Sequence, residues 1–328
     1  MGPPWPEGMV PRLSDSAGNP FLPFLEQQAA LILDGGLATT LEDRGFDLND
    51  ELWSARVLLE DPEAIGRVHG DFLDAGADII TTATYQATLS GFQKRGLDSD
   101  QARALIELAV GLAVTARDDF WADPKNRQGR RRPLVAGSVG PYGAFLADGS
   151  EYAGNYGLTK GELISFHRQR WEILAAGPAD LLACETLPSL PEARALLDLL
   201  HQTPGRWAWF SFSCRDGSSL CDGTPFVQAV EMCSESPQVA AVGVNCSAPE
   251  FISPLLNIGR KATDKPLVVY PNSGEIYNPM NKSWAAESGH RSIPELAAKW
   301  ALQGARAIGG CCRTGPVVIR ELRHLLLD

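Results

Sequence analysis

What the 328-residue chain lacks narrows the possibilities first. No apolar run approaches the roughly 20 residues that cross a bilayer, so no membrane association is expected. The N-terminus, Met1-Gly-Pro-Pro-Trp-Pro-Glu7, has no basic start followed by an apolar core, and Pro6 stands where a myristoylation signal wants Ser or Thr. Positive charge is scarce. With 29 Lys and Arg against 40 Asp and Glu, the net charge of −11 is a poor match for nucleic acid or an anionic membrane surface. The one basic run, Arg127 to Arg132, falls between a helix-like and a strand-like stretch and reads as a solvated loop. No Gly-x-Gly-x-x-Gly follows the first strand-like segment, which argues against a dinucleotide-binding sheet. The seven cysteines are an odd number without the spacing of a disulfide framework, so a reducing, cytoplasmic setting is expected.

What is present is a repeated alternation. Short runs rich in Val, Ile, Leu and Ala begin at Leu31, Asp78, Pro133, Asp180, Trp207, Val239, Pro266 and Ala305. Between them lie segments of helical spacing: Pro62 to Ala75, Asp98 to Trp121, Thr159 to Ala176, Leu190 to Gln202, Phe226 to Ser234, Glu250 to Ala262, Ser292 to Gln303 and Pro316 to Leu327. Thr159 with Glu162 forms a capping-box signature, and Gly76, Gly177 and Gly304 sit where helices should end. Continuous apolar strands suit a parallel sheet buried on both faces. Eight such units predict a single-domain α/β protein, a (β/α)₈ TIM barrel over residues 21–328, after a loose Pro- and Gly-rich tail at 1–20. A doubly wound open sheet is the alternative. Oligomeric state is left open, because barrel helices carry apolar faces with or without a partner.

In such a barrel, functional residues gather at the C-terminal ends of the strands. Here those ends hold Asp34, the Thr84-Tyr85-Gln86 stretch, Ser138, Glu185, Asn245-Cys246, Asn272-Ser273-Glu275 and Cys311-Cys312. Adjacent residues on a strand face opposite ways, so Cys311 and Cys312 serve one centre only if the strand stops there and the backbone bends; Gly309 and Gly310 permit that. Cys246, distant in sequence, falls on the same rim. The three sulfurs are therefore expected to hold one zinc ion, with a fourth coordination position open as in catalytic sites. Two small buried residues, or a vicinal disulfide, are the plainer readings of a Cys-Cys pair. Cys184 precedes Glu185 and should face the helices if Glu185 faces inward. Cys214, Cys221 and Cys233 read as buried or idle thiols.

Several of these stretches resemble one family. Leu33-Asp-Gly-Gly36, Ala136-Gly-Ser-Val-Gly-Pro-Tyr-Gly-Ala144, Asp148-Gly-Ser-Glu-Tyr152, Ala183-Cys-Glu-Thr-Leu-Pro188, Val244-Asn-Cys246, Val269-Tyr-Pro-Asn-Ser-Gly-Glu275 and Gly309-Gly-Cys-Cys-Arg-Thr314 are similar to the homocysteine S-methyltransferases, especially those using S-methylmethionine. The resemblance spans nearly everything from Leu31 onward. It implies a zinc-bearing barrel with Cys246, Cys311 and Cys312 as ligands. It also implies L-homocysteine as methyl acceptor and Asp34 and Glu185 as acidic residues near its amino group. The chain lacks the cobalamin and folate modules of methionine synthase and the C-terminal extension of betaine-using relatives, so a sulfonium donor is expected over betaine.

The chemistry follows from the residue types. A thiol with a pKa of about 8.5 is mostly protonated at neutral pH, and a bound metal removes its proton. A sulfonium donor carries a neutral leaving group, so no general acid is needed and alignment is the remaining task. Tyr85 is a candidate for cation–π contact with the donor, or simply packs in the barrel. Asn245 and Asn272 are candidates for substrate carboxylate or for support of the cysteines, and Ser138 for a substrate contact or strand-end capping. Two other classes are kept: a non-catalytic barrel with structural zinc, with His290 the best-placed of poor fourth ligands, and a lyase or hydrolase using Glu185 and Asp34 as acid and base.

Overall fold

The computed structural model describes residues 18–48, 54–274, 276–278, 283–285 and 292–328. Eight parallel strands carry the architecture: β1 (Leu31–Ile32), β2 (Ile79–Thr81), β3 (Leu134–Val139), β4 (Leu181–Leu187), β5 (Ala208–Phe212), β6 (Val239–Asn245), β7 (Leu267–Tyr270) and β8 (Ala305–Ile308). Neighbours pair in sequence order from β2 through β8, and β8 pairs with β1 through Leu31↔Ala307 and Ile32↔Ile308. One bridge, Leu33↔Ile79, returns from β1 to β2 and makes the sheet a nearly closed barrel. The predicted (β/α)₈ architecture is the observed one.

Period-two alternation separates two cores. Leu181 and Ala183 of β4, Trp209 of β5, Ala241 of β6, Val268 of β7 and Ala307 of β8 point into the barrel, together with Phe21 and Phe24 from the segment before β1. The alternate residues, including Leu182, Cys184, Phe210, Val242 and Val269, pack outward against the helices. Cys184 thus faces the helices, as its position beside Glu185 requires. Asn19 donates its side-chain amide to the carbonyl of Ala240 at 3.0 Å, fixing the chain beneath the barrel just after residue 18. The rest of the expected tail, residues 1–17, lies outside the described residues.

The long helices keep their predicted bounds to within a residue or two: Pro62–Ala75, Ser99–Ala122, Lys160–Ala176, Leu190–His201, Phe226–Ser234, Pro249–Ala262, Ile293–Leu302 and Pro316–Leu327. Thr159 and Glu162 close the expected capping box. Gly76 and Gly304 end helices with positive φ, whereas Gly177, ahead of Pro178, stays at φ −73°. At Gly76 a Cβ would come within 2.2 Å of the Arg323 side chain, so only glycine fits. The basic run is largely the exposed loop expected, but Arg130 departs from that reading. Arg130 donates to the carbonyls of Leu73 (3.0 Å) and Ala77 (2.6 Å), closing the C-terminal end of the helix at 62–75. No described helix is long and apolar enough to cross a membrane.

Candidate active site

Three strand ends turn out of the sheet at one rim. β6 stops at Asn245, and Cys246 follows with φ 43°, a left-handed conformation that costs a non-glycine residue about 1–3 kcal/mol. Its N–H still donates to the carbonyl of Tyr270 at 3.1 Å, so the bend is anchored to β7. β8 stops at Ile308, and Gly309 and Gly310 carry the chain across the loop after β1. A Cβ on Gly309 would lie 2.6 Å from that of Leu33, and one on Gly36 would lie 2.6 Å from the Cys311 carbonyl oxygen. The Asp34-Gly35-Gly36 turn and the Cys311–Thr314 turn therefore pack backbone against backbone. Gly310 N–H donates to the Asp34 carbonyl (3.1 Å) and Gly36 N–H to that of Thr314 (2.8 Å). Cys311 N–H donates to the Pro271 carbonyl at 2.8 Å, tying the turn to the end of β7.

This folding brings the sulfurs of Cys246, Cys311 and Cys312 within 4.8 Å of one another. Cys246 and Cys311 are joined as a disulfide, their Cα atoms 5.6 Å apart, and Cys312 is a free thiol beside it. The sequence reading expected three thiols and no disulfide, and considered only a vicinal pairing. The correction has a simple cause, since a convergence tight enough for one ion also puts two sulfurs within bonding reach. Once the disulfide is reduced, three soft sulfur donors in so small a space suit one zinc ion with bonds of about 2.3 Å. No other group of three metal-ligating side chains occurs among the described residues. His290 and Glu275 lie outside them.

Two carboxyls face the same rim. Asp34 accepts from the Thr81 N–H (2.7 Å) and the Thr81 hydroxyl (2.9 Å) through one oxygen. Burial lifts its pKa to about 8; the Thr81 bonds oppose the rise and the charge of Glu185 adds to it. Glu185 points inward from β4, following Leu181 and Ala183. It accepts a short hydrogen bond from the Ser138 hydroxyl and another, across the barrel, from that of Tyr270. Burial pushes it to about 7 in spite of both donors. The Tyr270 hydroxyl also receives the Trp209 indole N–H at 2.9 Å and meets the Ser211 hydroxyl at 2.5 Å. Trp209, Ser211 and Tyr270 thus brace Glu185. All three lie inside apolar strand runs, and only their inward parity with Glu185 could have singled them out.

The remaining predicted residues are nearby with their polar atoms largely committed. Asn245 is fully buried and uses its whole amide on Thr186, accepting from its N–H and donating to its hydroxyl, both at 2.7 Å. Thr186 is held at φ 57° by that brace and hydrogen-bonds the Tyr85 hydroxyl. The Tyr85 ring lies against Gly140, where a Cβ would come within 2.7 Å of it. Ser138 serves Glu185. Asn272 accepts from the N–H of Gly274 at 3.2 Å, shaping the turn after β7.

Beneath the Tyr85 loop sits a network that the sequence reading did not contain. Arg170, 2 % exposed, donates to the carbonyls of Tyr85 (2.9 Å) and Gly140 (2.6 Å) and meets His167 Nδ1 at 3.0 Å. His167 Nε2 lies 2.8 Å from Glu192, which also accepts the Tyr142 N–H at 2.6 Å. Burial lowers the His167 pKa, so the ring is neutral. It donates from Nε2 to the carboxylate and accepts from Arg170 at Nδ1. A neutral imidazole thus links a buried cation to a buried anion and fixes the loops after β2 and β3.

Comparison with known proteins now decides the family. Residues 31–326 match the homocysteine S-methyltransferase family. The chain belongs to it. The homocysteine S-methyltransferase YbgG of Bacillus subtilis is 49 % identical over 304 residues, covering 93 % of this chain and 96 % of that one. Two crystal structures of the homocysteine methyltransferase MmuM from Escherichia coli are similar over 93 % of this chain and 99 % of theirs. The metallated form shares 47 % identity with a TM-score of 0.84, and the oxidized form 48 % with 0.85. As a family member this chain is a methyltransferase, with homocysteine and a methyl donor as its substrates.

Proposed function

We propose that this enzyme transfers a methyl group from a sulfonium donor, S-methylmethionine, to the sulfur of L-homocysteine, giving methionine, with one zinc ion held by Cys246, Cys311 and Cys312 in their reduced state. The observation that carries the reading is the meeting of three sulfurs and two buried carboxyls, Asp34 and Glu185, at one barrel rim. A zinc ion there would supply the positive charge that makes an incoming thiol give up its proton near pH 7.

The chain's own residues supply position. Asp34 and Glu185, once ionised, receive the ammonium of homocysteine, and their existing donors (Thr81, Ser138 and Tyr270) fix where the free lone pairs point. That anchor sets the acceptor sulfur at the cysteine turn and leaves its far side open to the donor. In-line transfer then moves CH₃⁺ from the sulfonium to the thiolate. The old carbon–sulfur bond breaks with its electron pair left on the departing thioether, so the leaving group is neutral and no proton is required. Tyr85, between the two loops, offers its ring face to the sulfonium.

The test is a metal and donor assay on the reduced, zinc-loaded chain. One zinc per chain by elemental analysis is expected, falling to near zero in Cys311→Ala together with activity. S-methylmethionine should turn over faster than betaine when the two are assayed beside S-adenosylmethionine. Full zinc retention in Cys311→Ala, or faster turnover with betaine, would overturn the reading. A localisation in the cytoplasm is proposed with it, on the need to keep the three thiols reduced.

A further inference from the structure

Glu151 is a carboxylate near this rim for which neither the cysteines nor the homocysteine anchor has a use. It lies in the short turn Ser150–Tyr152 beyond β3. Its backbone is fixed from both sides: its carbonyl accepts the Ser213 hydroxyl at 3.1 Å, and a Cβ on Gly143 would lie 2.3 Å from its nitrogen. Its Oε2 is shielded from solvent and has no hydrogen-bond partner among the described residues. A buried acceptor without a partner costs about 1–3 kcal/mol, more when charged, so it calls for an explanation. No Lys, Arg or His forms an ion pair with it among the described residues.

Its surroundings suggest what is missing. The turn that packs on the Glu151 backbone at Gly143 packs on the Tyr85 ring at Gly140. The Ser213 hydroxyl that holds the Glu151 carbonyl also reaches the Thr186 carbonyl at 3.4 Å, beside the Tyr85 hydroxyl that Thr186 hydrogen-bonds. Glu151 therefore belongs to the loop cluster that carries Tyr85 at the barrel rim. The acceptor's ammonium has its own pair of carboxyls. The second substrate, on the proposed reading, brings its methyl-bearing atom to the same rim, beside Tyr85 and the loop that carries Glu151.

We infer that Glu151 is a substrate-binding residue for the methyl donor, the shielded Oε2 of its half-buried side chain facing the positively charged sulfur of a sulfonium opposite the Tyr85 ring. A sulfonium carries a permanent charge and no proton, so it balances the carboxylate without neutralising it, and a neutral methyl donor would leave Oε2 as unsatisfied as it is now. On transfer the positive charge leaves the donor, the departing thioether loses its attraction to Glu151, and release follows. The inference rests on the sulfonium reading above.

The experiment compares Glu151→Gln and Glu151→Ala with the parent, each reduced and zinc-loaded. Glu151→Gln keeps shape and one acceptor and removes only charge. The KM for S-methylmethionine should rise about 10- to 100-fold, the range for losing a charge-assisted contact, while the KM for homocysteine and the zinc content stay within twofold. Trimethylsulfonium, which has no ammonium, is the second probe; its Kd by calorimetry should rise in parallel. A donor KM within twofold of the parent in both variants would overturn the inference while leaving the sulfonium reading intact. So would an equal rise in both KM values, or a weakened S-methylmethionine with unchanged trimethylsulfonium, which would place the donor's ammonium there instead. A parent enzyme that turns over no sulfonium would overturn both readings.

Discussion

Arg170→Ala should be the most damaging single change outside the site itself. The guanidinium is buried, and its loss orphans the carbonyls of Tyr85 and Gly140 and the Nδ1 lone pair of His167. It also leaves the Glu192 carboxylate, 0 % exposed, without the cation at the other end of the imidazole. Removing one member of a buried ion pair costs about 3–5 kcal/mol, because the remaining charge keeps its desolvation penalty. Burial brings Arg170 down only to about 10, so at neutral pH it is a cation. Because the His167 ring separates it from Glu192, a loss of about 3 kcal/mol, the lower end of that range, is expected. Urea unfolding followed by circular dichroism measures the loss, read from the midpoint at constant m-value. Arg170→Lys should recover part of it, since one ammonium reaches one carbonyl at a time where the planar fork reaches both. The loops after β2 and β3 should loosen too, raising the donor KM more than that of homocysteine. A loss below about 1 kcal/mol for Arg170→Ala, typical of an exposed pair, would show that the network does not hold these loops.

Two further outcomes are expected. For homocysteine, kcat/KM should climb with pH across about 7 to 8, since Glu185 and Asp34 must lose protons at about 7 and about 8 to receive an ammonium. Ser138→Ala, which takes a donor from ionised Glu185, should move the lower limb to higher pH; a flat profile between pH 6 and 8 would contradict both the lifted pKa values and the anchoring role. Gly36→Ala, with φ −72° acceptable to alanine, should still cost about 1–3 kcal/mol and weaken zinc retention against a chelator, because its Cβ meets the Cys311 carbonyl at 2.6 Å. Unchanged zinc affinity in a folded Gly36→Ala would show that the two turns do not depend on each other.

What could be read in the sequence, and what could not, divides by range of interaction. Helices such as Pro62–Ala75 and Phe226–Ser234 announce themselves because period and punctuation are local. The inward facing of Glu185 also follows, from counting back to Leu181 by twos. The three cysteines are legible only once eight strands are counted, because barrel topology and not proximity in sequence joins them. Residues with distant partners stayed hidden. Glu192, in the first turn of its helix, looks like a solvated dipole partner, and its burial depends on His167 from another helix. Arg130 sits among exposed basic residues, and only the packed structure shows it ending a helix more than fifty positions earlier. Tyr270 reads as a strand apolar until Trp209 and Ser211 arrive from β5. Short helices at the rim, such as Leu37–Asp43 and Tyr142–Leu146, are too brief to show a period.

The seam between β1 and β2 has a consequence for how variants are judged. Those strands share one bridge, and side chains make up the shortfall: Asp78 accepts the Ile32 N–H at 3.0 Å, and Asp34 accepts the Thr81 N–H at 2.7 Å. Asp34 is thus a stitch in the cylinder wall as well as the proposed seat for the amino acid. Truncating it to alanine would spring the wall and empty the seat together, and lost turnover could not be assigned to either. Asparagine, which keeps an oxygen for Thr81 and gives up the charge, separates the two roles.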